Sequence, residues 1–250
     1  MTVAYVATRT SSTINSQPAT PAEESSLNFE EGALFDETAS AYTRIRSRTE
    51  GIMADLLANN IRQSLNAYTK VNTWSSLAPA PSQGAETQVT TSAELDGLIQ
   101  NLRTLLSYLV RAVGTAPLRR LTKPMLHTIE NTILNQVILA HLFSGAGASN
   151  LQTDVAAIGG VLSKFLDSGL VDLSFGKLNQ ATTLLNVTNN EEDEDESADG
   201  LKQVALYEAC RRLFEGSGDD AKSLLDQLGL DRLSVGEARK ILAHRVELSR

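Results

Sequence analysis

Cysteine is almost absent from this sequence, with Cys210 alone among 250 residues. No internal disulfide can form, and a reducing compartment is the simplest setting. Aromatic residues are scarce at 5%. Sheets draw on β-branched and aromatic side chains, so this scarcity beside abundant Leu, Ala, Asn, Gln, Ser and Thr argues for helices. The three histidines, His127, His141 and His244, fall in no HxxxH or HExxH pattern, and no CxxC is present, so no metal site or cofactor is expected. No apolar run approaches the roughly 18–20 residues of a membrane-spanning helix. The opening MTVAYVATRTSST lacks the basic-then-apolar layout of a secretory signal. An excess of positive charge is also missing, with 22 Lys and Arg against 30 Asp and Glu. The formal net charge is −8, and the six acids Glu191 to Glu196 leave the rest near balance. A nucleic-acid binder shows a basic excess or stripe, so no nucleic-acid partner is expected.

What is present is a hydrophobic fraction of 42%, enough for a real core, arranged at helical spacing. Residues 1–32 are rich in Ser, Thr, Pro and acids without sustained periodicity, and read as a disordered lead-in. A helical bundle is expected over 33–188. Its first helix runs from Ala33 to Trp74, with Leu34, Tyr42, Ile45, Ile52, Leu56, Ile61, Leu65, Tyr68 and Val71 as the inner stripe and Gly51 as a weak point. Pro79, Pro81 and the polar stretch to Ser92 form a loop. Ser92 then caps a helix whose one broad face carries Leu95, Leu98, Ile99, Leu102, Leu105, Leu106, Leu109 and Val113.

A third helix is expected from Leu118 to Phe143, with Pro124 kinking it or shifting its start. The Gly145-Ala-Gly147 turn follows, read as a helix C-terminal stop because it lacks both phosphate-loop fingerprints. The fourth helix is placed over Leu151 to Leu166, where Gly159-Gly160 either weakens it or admits a close neighbour. A shorter segment follows from Phe175 to Leu185. An acidic loop is expected over 189–199, solvated by self-repulsion, although such a run could also meet a basic partner. Residues 200–250 continue the bundle as three short helices, the last opened by the Ser234–Glu237 capping box.

The chemistry-bearing groups are thin. His127 and His141 are separated by roughly 21 Å on one helix, too far to share a metal. Cys210 has Arg211 and Arg212 beside it, which could lower its pKa, but no histidine partner accompanies it in the sequence. It reads as a small helical residue. Asn186-Val-Thr188 matches a glycosylation sequon by chance. Arg111, Arg119, Arg120 and Lys123 cluster around the Gly114–Pro117 turn. They are the candidate partner-binding residues, with a solvated turn as the competing reading. No catalytic residue is identified.

Three blocks carry a family resemblance. YTRIRSRTEGIMADLLANNIRQSLNAYTKVNTW ends a long helix in a Tyr-x-x-x-x-x-Trp pattern at Tyr68 and Trp74. LHTIENTILNQVILAHLFSGAGASNLQTDV sets Phe143, Gly147, Ala148, Leu151, Gln152 and Asp154 at fixed spacing. LLDQLGLDRLSVGEARKILAHRVEL supplies the ending. In this order they resemble the RINT/TIP family of endoplasmic-reticulum vesicle tethers, helical-rod proteins related to exocyst subunits.

The resemblance spans 33–248 and implies an all-α, elongated multi-helix bundle matching the C-terminal rod portion of a longer protein. It further implies a non-enzymatic subunit acting in Golgi-to-endoplasmic-reticulum retrograde transport. The expected partners are endoplasmic-reticulum SNARE proteins and other tether subunits. The expected location is cytoplasmic, peripheral on the endoplasmic-reticulum membrane through those partners. A helical scaffold of another multiprotein complex is the alternative, while an enzyme would need a pocket of convergent polar groups that the sequence does not encourage.

Overall fold

A computed structural model describes residues 35–77, 91–187 and 206–248. The lead-in 1–32 and the acidic loop 189–199 lie outside them, as do Leu34, Pro79 and Pro81. The described residues are helical, with no strand among them. One isolated parallel bridge joins Phe143 to Arg245. The described residues form eight α-helices in order: α1 Asp36–Leu65, α2 Asp96–Ala112, α3 Thr115–Ile133, α4 Gly145–Leu162, α5 Ser168–Leu185, α6 Leu206–Phe214, α7 Gly218–Gln227 and α8 Val235–Leu242. The chain divides into two compact units, 1–53 and 54–250. No helix among the described residues is long and apolar enough to cross a membrane.

In the first unit α1 begins at Asp36 and passes through Gly51 unbroken. Tyr42, Ile45 and Ile52 are exposed there, as is Leu56 further along the helix, against the expectation that they face inward. The spacing is helical, as read. Spacing tells which residues share a face and not what covers that face.

In the second unit the core begins on the last turns of α1 with Leu57, Ala58, Ile61 and Leu65. The helix stops at Leu65, not Trp74. Two 3-10 turns, Tyr68–Lys70 and Thr73–Ser75, replace the rest of it. These turns fold Tyr68 and Trp74 into the interior, where both are fully buried. A continuous helix would have carried the two rings, six residues apart, to faces about 120° apart around its axis at roughly 100° per residue.

Helix α2 carries the strongest stripe in this part of the chain, burying Leu98, Leu102, Leu106 and Leu109. Asn101 ties it to α1, its amide donating to Asn60 and, at 2.6 Å, to Ser64. Ser92 opens the segment but caps no helix, because its hydroxyl is used elsewhere.

Helix α3 starts at Thr115 and includes Pro117 in its first turn, where a missing N–H costs nothing. It also continues through Pro124. Beyond Ile133 one π-helical turn, Leu134–Ile138, ends it short of Phe143. His127 and His141 therefore do not share one regular α-helix. The glycine segment after it begins α4. Ser144 accepts the N–H of Gly147 at 3.1 Å as N-cap, so Gly145-Ala-Gly147 is a helix start.

Helix α5 is longer than expected, starting at Ser168, and buries Leu170, Val171, Phe175 and Leu178. It packs beside both α3 and α4. Helices α6 to α8 form a terminal cluster around Leu213, Leu224, Leu225, Ala238 and Leu242. Ser217–Asp220 and Ser234–Glu237 supply full capping boxes to α7 and α8.

Candidate functional site

Tyr68, Trp74, Phe143, Gly147, Ala148, Leu151 and Asp154, among the residues that carried the family resemblance, meet in one buried knot. Tyr68 and Trp74 stack edge to face, with centroids 5.6 Å apart at 74°. Trp74 lies 5.5 Å from Phe143 at 35°. The Tyr68 hydroxyl donates to Asp154 at 2.9 Å, and Asp154 also accepts the Ser92 N–H at 2.8 Å and the Ser92 hydroxyl at 2.6 Å. Burial pushes the Asp154 carboxyl above the usual carboxylate range, against the pull of its three donors. Tyr68 is also pushed well above the normal phenol value, by burial first and then by the charge of Asp154.

Ser144 anchors the turn by donating its N–H to the Trp74 carbonyl at 3.1 Å and its hydroxyl to the Leu77 carbonyl at 2.8 Å. A Cβ at position 147 would sit 2.1 Å from the Trp74 carbonyl oxygen, so only glycine fits there. Ala148 and Leu151 are fully buried beside it, while Gln152 is exposed. Tyr68, Asp154, Ser92 and Ser144 direct their polar groups at partners within the knot, whereas the Trp74 indole N–H is buried with no hydrogen-bond partner. The arrangement holds α4 against the end of α1.

A second lock lies at the end of the described chain. Arg245 is 3% exposed, donates to the Leu185 carbonyl and pairs with Glu247 at 3.0 Å. Glu247 in turn accepts the Gly145 N–H at 3.1 Å. Asn186, from the sequon-like triplet, donates to the carbonyls of Ala148 and Thr182 and so has a packing role.

Two recesses open on the surface of the described residues. The smaller, about 290 Å³, lies between α4 and α5 and is lined by Gln152, Gly159, Ser163, Asp172, Asn179 and Thr183 among others. Gly159 and Gly160 have nothing within 4 Å of a Cβ, so this glycine pair does not admit a close neighbour.

The larger, about 660 Å³, runs between α3 and α5. Arg119, Lys123, Pro124, His127 and Glu130 form one wall and Leu170, Leu173 and Ser174 the other. Of the four predicted cationic residues the structure brings together Arg119 and Lys123, one turn apart on α3. Arg111, near the end of α2, and Arg120 are exposed and outside the groove. Glu130 is largely enclosed, with His127 Nδ1 3.5 Å from it, and Asn131 donates to His127 Nε2 at 2.9 Å. The apolar wall was missed in the sequence because the inner face of α5 was read only from Phe175 onward.

Cys210 is half-buried, and burial with the charge of Glu215 pushes its thiol up, so its arginine neighbours do not activate it. Among the described residues no group of His, Cys, Asp and Glu could hold a metal ion.

No curated protein matches the sequence. A solved structure titled as the SNARE Sec20 bound to the Dsl1 complex subunit Tip20 contains a chain with the same fold, at a TM-score of 0.61 and 18% identity. The match covers 96% of this chain and 37% of that one, so this chain spans well under half the length of its structural relative. The sequence profile of the RINT-1/TIP-1 family matches residues 3–245, which is nearly the whole chain. The chain belongs to the RINT-1/TIP-1 family.

Proposed function

We propose that this chain is the SNARE-binding helical portion of a vesicle-tethering subunit for retrograde transport from Golgi to endoplasmic reticulum. The observation that carries the reading is the family match over 3–245, joined to a fold shared with a chain of the Tip20–Sec20 complex. The chain holds no catalytic role in this reading. Asp154 is bonded by Tyr68 and Ser92 in one lock, Glu247 by Arg245 in the other, and the larger groove has a leucine wall with cations at its rim. Parallel helices leave grooves between their side-chain ridges, and such grooves accept a further helix. The protein works at the cytoplasmic face of the endoplasmic reticulum and is held there through its partners.

The test is a pull-down of the 250-residue chain with the cytosolic domains of endoplasmic-reticulum SNAREs and with tether subunits. Saturable binding to at least one SNARE is expected. Binding to none of them, together with partners drawn from an unrelated complex, would replace this reading with that of a scaffold elsewhere.

A further inference from the structure

The α3–α5 groove has a chemistry that its packing role leaves unused. Arg119, Lys123, His127 and Glu130 follow one another along α3 at steps of four, four and three residues, so they lie along one face. Eleven residues at 1.5 Å each make this wall roughly 16 Å long, about three helical turns. Opposite it Leu173 is 64% exposed, while Leu170 beneath it is buried. A leucine so exposed beside a recess of about 660 Å³ offers apolar area that a partner side chain can cover.

The charge of the rim selects the partner. Arg119 and Lys123 are exposed, and among the described residues neither has an acidic partner. Glu130, the one acid in the lining, is enclosed against His127 rather than at the rim. Lys177, further along α5, is already paired with Glu237. Arg232 lies across α5 at Gly176, where a Cβ would collide with it, and donates to the Leu173 carbonyl at 2.7 Å. It adds a third cation near the apolar wall. Among the described residues there is no sheet edge for an extended peptide to join, which favours a helix as occupant.

We propose that the α3–α5 groove is the docking site for an acidic amphipathic helix of the partner SNARE, which covers Leu173 and sets carboxylates against Arg119 and Lys123. This rests on the tether reading and names the face that reading leaves open.

The experiment measures affinity between the full 250-residue chain and the cytosolic domain of the SNARE retained in the pull-down, at low and high salt. The double reversal R119E/K123E and the single change L173D are compared with R103E/R111E. That control makes the same change in charge on exposed positions of α2 outside the groove. All altered side chains are exposed, and helical content checked by circular dichroism should be unchanged. The expected result is at least tenfold weaker binding for R119E/K123E and for L173D. Near-native affinity is expected for R103E/R111E, with a salt dependence in the wild type that R119E/K123E loses. Native affinity in both groove variants, while the wild type binds, overturns the docking site and leaves the tether reading standing. Binding of no SNARE by the wild type overturns both.

Discussion

At the scale of single residues, the most constrained position is Gly147, where the Trp74 carbonyl leaves no room for a methyl group. The obstacle is backbone, which cannot swing aside as a side-chain tip can. G147A is expected to cost about 3 kcal/mol, as overpacking at a rigid contact does. G159A, in the same helix with nothing near its Cβ, is expected to gain about 0.5–1 kcal/mol from helix propensity. Urea unfolding followed by the fluorescence of Trp74, the one tryptophan, measures both. Equal effects of the two changes would show that the close approach at Gly147 has no energetic weight. The sequence pointed to the wrong glycines, since Gly159-Gly160 is conspicuous as a pair. A close approach depends on what lies across from a residue, and Trp74 lies 73 positions away. Asp154 carries a further constraint at this scale. Its raised folded value means that its stabilising contribution is full below the unfolded carboxylate value. That contribution declines as pH rises through the folded value, so at neutral pH its three donors offset a standing burial cost.

At the scale of elements, capping determines where the short helices begin. The Ser234–Glu237 box was legible because Ser-x-x-Glu is the expected spacing. The Ser217–Asp220 box was not, because aspartate stands where Glu or Gln is usual. Glu237 has a second partner in Lys177 on α5, and with the Ser234 bonds this holds its carboxyl down to about 2. A depressed carboxylate contributes stability above its unfolded value of 4.5, which is lost as pH falls toward about 2. E237Q is therefore expected to be less stable than the wild type at neutral pH. The difference should be only about 0.5–1 kcal/mol, because the pair is partly exposed and screened by solvent. The gap in urea midpoints between the two proteins should close as pH approaches 2. A pH-independent gap would place the effect in packing and not in charge. Helix existence was otherwise plain from periodicity, while ends were not. The break at Leu65 and the π-turn after Ile133 answer to the aromatic knot, which no local pattern encodes. The groove was half legible. Arg119 and Lys123 stand out as neighbouring cations on one helix face, but the leucine wall opposite lies some fifty residues further on.

At the scale of the whole molecule, the second unit is closed by contacts between its distant parts. Arg245 reaches Leu185, Glu247 reaches Gly145, and Phe143 exchanges backbone bonds with His244 and Val246. R245A removes the side-chain donor of the Leu185 carbonyl and leaves the Glu247 carboxylate with the Gly145 N–H but no cation, a loss of about 3 kcal/mol. For a unit of this size that lowers the melting midpoint by roughly 5–10 °C. Far-UV circular dichroism and Trp74 fluorescence should report the same midpoint in both proteins, as one cooperative unit requires. A shift under about 2 °C, or two separated transitions, would show that the closure is not shared by the unit. The eight α-helices of the described residues are complete by Leu242, yet the chain first returns to Phe143 and Gly145 after that point. A stop codon placed just after Ala243 would spare all eight α-helices of the described residues and still strip the bundle of its clasp. Such a truncation belongs with core lesions, and an affinity handle or fluorescent label is best joined beyond Leu248.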